Sequence, residues 1–322
     1  MMKLLKKLCS ICFCAAFLMA GCIPAATQPT NGPTDPTDPT VPPTEPAPTS
    51  VLTEAPPKSL KILAIGNSFS IDAMQYLYQI AEDAGVEEIV LGNLYVGGCS
   101  LSQHLDFANN DTGAYDYYKN TDGYWGMTKE YKLSDALVDE EWDYITMQQS
   151  SGLSGIAATY EEDLGALVDY VRGFNTSAQL VWHMTWAYQA DSTHEEFPRY
   201  DSDQSKMYGQ IVDCVKTFVV PDERISFVIP AGTAIQNART SFLGDTLTRD
   251  GFHLDKQIGR YVAGMAWYAA ITRSSVADID FNPAALQISD DMIAVAKEAA
   301  ENAVADPYNV TQSRLTEGNR PE

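Results

Sequence analysis

Basic residues are scarce in this 322-residue chain, which has 21 Lys and Arg against 43 Asp and Glu and a formal net charge of −22. A surface that acidic repels phosphate backbones and anionic headgroups, so the composition argues against a nucleic-acid partner. Long apolar runs are also missing. The one strong run, Leu8 to Met19, is too short to span a bilayer permanently. Cysteine is scarcer than its count of six suggests, because Cys9, Cys12, Cys14 and Cys22 crowd the first 22 positions. Only Cys99 and Cys214 remain beyond them, with no zinc spacing and no disulfide framework, and both are expected to be free, buried thiols. Histidine is limited to His104, His183, His194 and His253, which makes the search for a general base short.

The front end has the anatomy of an export signal. Lys3, Lys6 and Lys7 precede the apolar run, which stops at Ala20, Gly21 and Cys22. Small residues directly before a cysteine resemble the lipobox of bacterial lipoproteins, which implies a leader over residues 1–21 and a diacylglycerol thioether on Cys22. The only membrane association expected is through that anchor, at the extracytoplasmic cell surface; cleavage near Ala20 to release a soluble protein is the alternative. Residues 22–58 are dominated by Pro and Thr and have little to bury, so a semi-rigid extended stalk is expected.

From Leu60 the texture becomes short apolar runs separated by amphipathic stretches, as in an α/β domain with a parallel sheet. About 250 residues are enough for one large domain, expected over 59–305 with a polar tail at 306–322. Five strands are expected: Lys61–Ile65, Glu88–Tyr95, Asp143–Gln148, Gln179–Thr185 and Ile225–Ile229. Their apolar character on both faces suits strands covered by helices on each side. Helices are expected over Asp72–Ala84, from a Thr159/Glu162 capping box onward, over Asp255–Thr272 and over Ser289–Val304. Residues 106–132, rich in Tyr and Gly, break the alternation and read as an insertion at the rim of the sheet.

Two short segments carry chemistry. In Arg249-Asp250-Gly251-Phe252-His253, a carboxylate three residues before a histidine, across a Gly-containing turn, can fix the imidazole tautomer and stabilise an imidazolium. The same residues also read as a surface turn before a helix capped by Asp255. In Ile65-Gly66-Asn67-Ser68-Phe69-Ser70, a serine follows the first strand and precedes a helix, at the carboxyl edge of the sheet, where unpaired N–H groups can meet an oxyanion. Ser68 could equally be a turn residue, and Ser70 a helix cap.

Together, GNSFS near the start of the domain and DGFH near its end resemble the first and last blocks of GDSL-like SGNH hydrolases, and the likeness spans roughly Leu60 to Thr272. The resemblance implies a three-layer α/β/α, flavodoxin-like fold and a serine esterase without metal or organic cofactor, its triad at Ser68, Asp250 and His253. It also implies an oxyanion hole from the N–H groups of Ser68 and Gly98, with Gly97 close behind. The third block departs from Gly-x-Asn-Asp. Met147-Gln148-Gln149-Ser150 stands there, as in carbohydrate-esterase branches where Gln replaces Asn, so Gln148 or Gln149 is expected to donate the third N–H. Alternation along a strand lets only one of the two reach the site. GGCSL, the Trp186-Ala187-Tyr188 run and Pro230-Ala231-Gly232-Thr233 resemble extracellular bacterial members of the superfamily. Asn67 replaces an Asp that has no catalytic role in the family.

Beyond the triad, His104 is a candidate substrate contact that also reads as a structural histidine. His183 is expected to be buried and His194 solvated. Tyr115, Tyr117, Tyr118, Tyr124 and Trp125 in the insertion, with Trp186 and Tyr188, are candidates to stack on sugar rings or to anchor the insertion. The expected activity is removal of short acyl groups, acetyl first, from an acylated glycan, and the acidic surface favours a neutral glycan over a polyanion. An acyl-chain esterase of the same fold and a noncatalytic glycan-binding lipoprotein are the alternatives.

Overall fold

The computed structural model describes residues 52–174, 177–282 and 284–320. The leader, Cys22 and the expected stalk up to residue 51 lie outside the described residues. Among the described residues no helix is long and apolar enough to cross a membrane.

One mixed sheet organises the chain. Its strands are β1 (Ser59–Gly66), β2 (Glu88–Tyr95), β3 (Tyr115–Asn120), β4 (Gly126–Tyr131), β5 (Tyr144–Met147), β6 (Gln179–His183) and β7 (Ile225–Ile229). They lie in the order β4-β3-β2-β1-β5-β6-β7. The five expected strands, β2-β1-β5-β6-β7, are parallel. Nearly every residue of β1 is buried, as expected of a strand covered on both faces. The chain moves outward from β1 to β2, then returns to the other side of β1 and continues outward through β5, β6 and β7. That reversal opens a crevice at the carboxyl ends of β1 and β5, where open α/β sheets bind ligands.

The helices are α1 (Ser68–Met74), α2 (Leu77–Asp83), α3 (Leu101–Asn109), α4 (Leu133–Leu137), α5 (Asp163–Phe174), α6 (Gln204–Cys214), α7 (Ala231–Arg239), α8 (Ile258–Thr272) and α9 (Asp290–Ala305). α1, α2, α7 and α9 pack around α8, whereas α3, α4 and α5 pack together. α8 is buried over fourteen of its fifteen residues, so an apolar helix rather than an amphipathic one forms the middle of its layer.

Several expectations need correction. The sheet has seven strands rather than five, because part of the expected 106–132 insertion is the antiparallel ribbon β3–β4 on the edge of β2. β3 buries Tyr115 and Tyr117 at alternate positions, but β4 is exposed over nearly its whole length and so has no apolar period to read. The expected 72–84 helix is two helices, broken at Gln75 and Tyr76 where the Tyr76 hydroxyl bonds the Lys256 carbonyl. Thr159 ends a short 3-10 turn and its hydroxyl donates back to the Ile156 carbonyl at 2.7 Å, so the capping box does not form. Residues 52–58 and 306–320 also belong to the folded unit. Leu52 is buried in the core and the Glu54 N–H donates to the Arg273 carbonyl. Thr311 and Ser313 N–H groups bond Asn237 and Thr240 side chains on α7 and at its end.

Candidate active site

Strand register brings the chemistry together. Gly66 pairs with Tyr95, and Ile65 pairs with Met147, so β1, β2 and β5 end at nearly one level. The next residues of each strand, Asn67-Ser68, Val96-Gly97-Gly98 and Gln148, therefore emerge along one edge. Ser68 opens α1, with Asn67 as the N-cap whose Oδ1 accepts from the Phe69 N–H at 3.0 Å.

The second half of the site comes from the loop before α8. Gly251 holds φ at +88°, and this left-handed turn lets Asp250 fold back onto His253. Asp250 Oδ1 accepts the backbone N–H groups of His253 at 2.8 Å and Phe252 at 3.3 Å. Its Oδ2 accepts from His253 Nδ1 at 2.7 Å, and His253 Nε2 lies 2.8 Å from Ser68 Oγ. Burial raises the Asp250 pKa, but the imidazole and backbone donors outweigh it and hold the carboxyl below its ordinary value. The Asp250–His253–Ser68 chain is continuous, and Ser68 is half-buried at its end.

An aromatic plate carries His253. Phe69 stacks on Trp186 with ring centroids 4.2 Å apart, Trp186 Nε1 donates to the Phe252 carbonyl at 2.8 Å, and Phe252 packs against the His253 ring at 4.0 Å. Trp186 and Tyr188 are both fully buried, so neither presents a face to a sugar. They support the histidine loop instead, and Tyr188 packs on Phe252 from below. His104 is likewise buried, 2.9 Å from the Tyr115 hydroxyl, and burial lowers its pKa from 6.5 to about 3. That position corrects its expected substrate contact. Of the aromatic candidates, Trp125 and Tyr118 line the cavity at Ser68, Tyr115 and Tyr117 are core, and Tyr124 is 80% exposed away from that cavity lining.

The two glutamines point to different partners. Gln148 Nε2 donates to Asn67 Oδ1 at 2.8 Å and its Oε1 accepts from His183 Nδ1 at 2.9 Å. Gln149 instead accepts from the N–H groups of Leu101 and Ser150, and its Nε2 donates to the Thr159 carbonyl and hydroxyl, both at 3.1 Å. Gln149 thus spends its donors on a remote turn, which corrects its place in the expected oxyanion hole. Gln148 reaches the site only through Asn67. The backbone N–H groups of Ser68 and Gly98, by contrast, carry no hydrogen bond within the described residues, and Gly98 sits at φ +64° on an exposed turn.

The family resemblance gives Asn67 no catalytic role, yet it links the three strand ends. Besides capping α1 and receiving Gln148, its Nδ2 donates to the Cys99 carbonyl at 3.0 Å. Ser70 is fully buried and donates to the Asn67 carbonyl, so its hydroxyl is part of this scaffold. Cys99 Sγ lies 3.5 Å from His104 Nδ1. Burial pushes that thiol up to about 12 while it pushes the imidazole down, the opposite of a thiolate–imidazolium pair. Cys99 and Cys214 are free and buried. Among the described residues no cluster of three His, Cys, Asp or Glu side chains is placed to hold a metal ion.

A cavity of about 430 Å³ opens at Ser68 and His253. Asn93, Tyr95, Tyr118 and Trp125 form the wall from β2 and the ribbon, and Ile71, Asp72, Gln75 and Arg249 form the other. A separate cavity of about 230 Å³ at the β7 edge contains none of these residues.

Fold and site together define an α/β protein with a Ser-His-Asp chain at the carboxyl edge of a parallel sheet. The chain belongs to the DUF4886 family, described as a domain of unknown function, whose model matches residues 61–303. It is similar to a DUF4886 family protein from Bacteroides uniformis ATCC 8492 known from a crystal structure, with 44% identity and a TM-score of 0.76 over 79% of this chain and 98% of that one. Looser likenesses are to a candidate SGNH hydrolase from Slackia heliotrinireducens (20% identity, TM-score 0.47, 66% of this chain and 99% of that one) and a candidate GDSL-like lipase from Parabacteroides merdae ATCC 43184 (13%, 0.40, 67% and 96%). Superpositions that loose say nothing about this chain's chemistry. Among curated proteins nothing matches the chain.

Proposed function

We propose that the protein is an SGNH-type serine esterase that removes short acyl groups, acetyl first, from carbohydrate at the cell surface. The observation that carries this reading is the unbroken hydrogen-bonded chain from Asp250 through His253 to the half-buried Ser68 Oγ. His253 Nε2 takes the hydroxyl proton as Oγ attacks the ester carbonyl, and Asp250 stabilises the imidazolium that forms. The unbonded N–H groups of Ser68 and Gly98 receive the oxyanion. His253 then protonates the leaving sugar hydroxyl. Water, deprotonated by the same imidazole, attacks the acyl-serine and releases the carboxylic acid, with the proton returned to Oγ.

Carbohydrate is favoured by the cavity, whose walls hold Trp125, Tyr118 and Tyr95 beside amide and charged groups, with Ile71 as the one aliphatic side chain. A long acyl chain needs an extended apolar groove, and this lining is a poor match to one. Anchoring through Cys22 on a Pro/Thr-rich spacer fits a substrate in the cell envelope. The test is acid release from an aryl acetate and a panel of acetylated oligosaccharides by the full chain and by Ser68→Ala. Turnover lost in Ser68→Ala supports the esterase. Equal, background rates in both proteins sink it and favour a glycan-binding lipoprotein.

A further inference from the structure

Asp72 is fully buried on α1, one turn beyond Ser68, and its carboxylate is saturated from inside the protein. Arg260 on α8 grips it side-on, with Nε at 2.8 Å and Nη2 at 2.7 Å from Oδ1, and the Leu254 N–H donates to Oδ2 at 2.9 Å. Arg249 reaches the same carboxylate through one nitrogen only, Nη1 at 3.1 Å from each oxygen, and that nitrogen also bonds the Leu254 carbonyl. The two arginines are therefore not equivalent. Arg260 uses its bidentate edge on Asp72 and feels Asp255 as well, whereas Nε and Nη2 of Arg249 meet no partner among the described residues.

The edge formed by Nε and Nη2 is the planar fork that matches a carboxylate with two parallel hydrogen bonds. Arg249 directly precedes Asp250, its side chain is 30% exposed, and it lines the cavity that holds Ser68 and His253. Asn93, in the same cavity wall, adds a second group awaiting a ligand. It is fully buried, its Oδ1 shares the single Ser70 hydroxyl proton with the Asn67 carbonyl, and its Nδ2 has no partner among the described residues. A buried amide donor without a partner costs about 1–3 kcal/mol unless a ligand or water satisfies it.

From these contacts we infer that the substrate carries a carboxylate, and that Arg249 receives it through its free Nε–Nη2 edge while Ser68 attacks an acyl ester on the same sugar or its neighbour. The substrate class is then an acylated acidic sugar, such as an O-acetylated uronic acid. This inference rests on the esterase reading for its ester but not for its anion. The overall charge of −22 does not oppose it. Repulsion from distant surface carboxylates is screened beyond about 8–10 Å at physiological salt, whereas a paired contact at the cavity wall is not. The overall charge does disfavour a long polyanion, which would lie across that surface. One carboxylate within the cavity is the form of anion that both fields accept.

The test uses two matched probes, an O-acetylated methyl uronoside and the same sugar as its neutral uronamide. With the full-length protein, kcat/KM for the acid is expected to exceed that for the amide by about tenfold or more, the scale of one charge-assisted bidentate pair. The ratio should approach one in Arg249→Met, with Arg249→Lys between the two. The ratio is read within each protein, so any general damage from loosening Asp72 cancels. Should Arg249→Met not fold, the wild-type ratio and its survival as salt is raised from about 0.02 to about 0.5 M carry the test, because a close pair at the cavity wall is screened far less than distant surface charge. A second arm needs no turnover: titration calorimetry of Ser68→Ala with the deacetylated uronoside and its uronamide should find the acid bound more tightly. Equal rates and equal binding for the two probes overturn the inference even where aryl acetate is cleaved, and so does a preference that survives Arg249→Met. Failure of the esterase reading looks different, with no acid released from any ester while the binding arm still discriminates.

Discussion

Asn67 is the place to perturb the scaffold without touching a reacting atom. Replacing it with alanine removes three buried contacts, namely the cap on Phe69 N–H, the acceptor for Gln148 Nε2 and the donor to the Cys99 carbonyl. The lost cap costs about 1 kcal/mol. The Cys99 carbonyl and the Gln148 amide are left buried without these partners, at about 1–3 kcal/mol each. The sum is about 3–7 kcal/mol, at its lower end if water enters the space left. Asn67→Ser keeps an oxygen for the cap but cannot span to Cys99 and Gln148 together, so it should recover only about 1 kcal/mol of that loss. Urea unfolding followed by tryptophan fluorescence measures both, and the expected order is wild type, then serine, then alanine. Turnover should fall as well, by about 10- to 100-fold, because the strand ends carrying the Ser68 and Gly98 N–H groups lose their tie. An alanine variant within about 1 kcal/mol of wild type would refute the assignment of Asn67 as the link.

Other perturbations separate backbone, charge and hydroxyl effects. Gly98→Ala meets no atom within 4 Å, so its cost comes from φ +64° alone, about 1–2 kcal/mol of backbone strain, and any relaxation of that turn should lower kcat more than it raises KM. Acid should destabilise the fold well before its carboxylates titrate. Burial holds His104 and His183 at about 3 in the folded protein against 6.5 ordinarily, so between those values the unfolded chain binds the extra protons. Stability is then full above about pH 6.5 and falls toward pH 3, by several kcal/mol at most, with Asp255, raised by burial, opposing it in the lower part of that window. A urea midpoint that stays flat from pH 7 to about pH 4.5 would contradict this. Ser68→Ala deletes a half-buried hydroxyl whose one hydrogen bond is to His253, so its stability should stay within about 0.5–1 kcal/mol of wild type by the same urea assay.

The parts of the site legible in the sequence are those whose geometry is local. Asp250 and His253 share one turn, and Ser68 follows an apolar strand directly, so residue type and spacing were enough to propose them. Relations between distant segments were not legible. Asn67 meets Cys99 and Gln148 from 32 and 81 positions away, and Asp72 meets Arg249 and Arg260 from 177 and 188. Alternation could say that Gln148 and Gln149 face opposite ways, but not that His183 and Thr159 wait on either side. Aromatic content at residues 106–132 was visible, yet burial divides it: Tyr115 and Tyr117 pack inward while Tyr118 and Trp125 line the cavity. The ribbon is not legible in the sequence because exposed β4 has no hydrophobic period. α3 does carry a local signal, the full Ser100–Gln103 capping box before Leu101.

The two halves of the site are braced by different chemistry. Ser68, Gly98 and Gln148 follow strand ends tied by Asn67, whose bonds to Gln148 and to the Cys99 carbonyl are buried. Asp250 and His253 sit on a loop held by aromatic stacking and by the Asp72 ion cluster, whose outer member, Arg249, is partly exposed. The histidine loop is pinned by hydrogen bonds as well, from Trp186 Nε1 to the Phe252 carbonyl and from the Gln189 N–H to the Gly251 carbonyl, both at 2.8 Å, so both halves are held from beneath. A ligand that occupies the free edge of Arg249 acts next to Asp250 in the chain, on the half of the site that the aromatic rings and the Asp72 cluster brace.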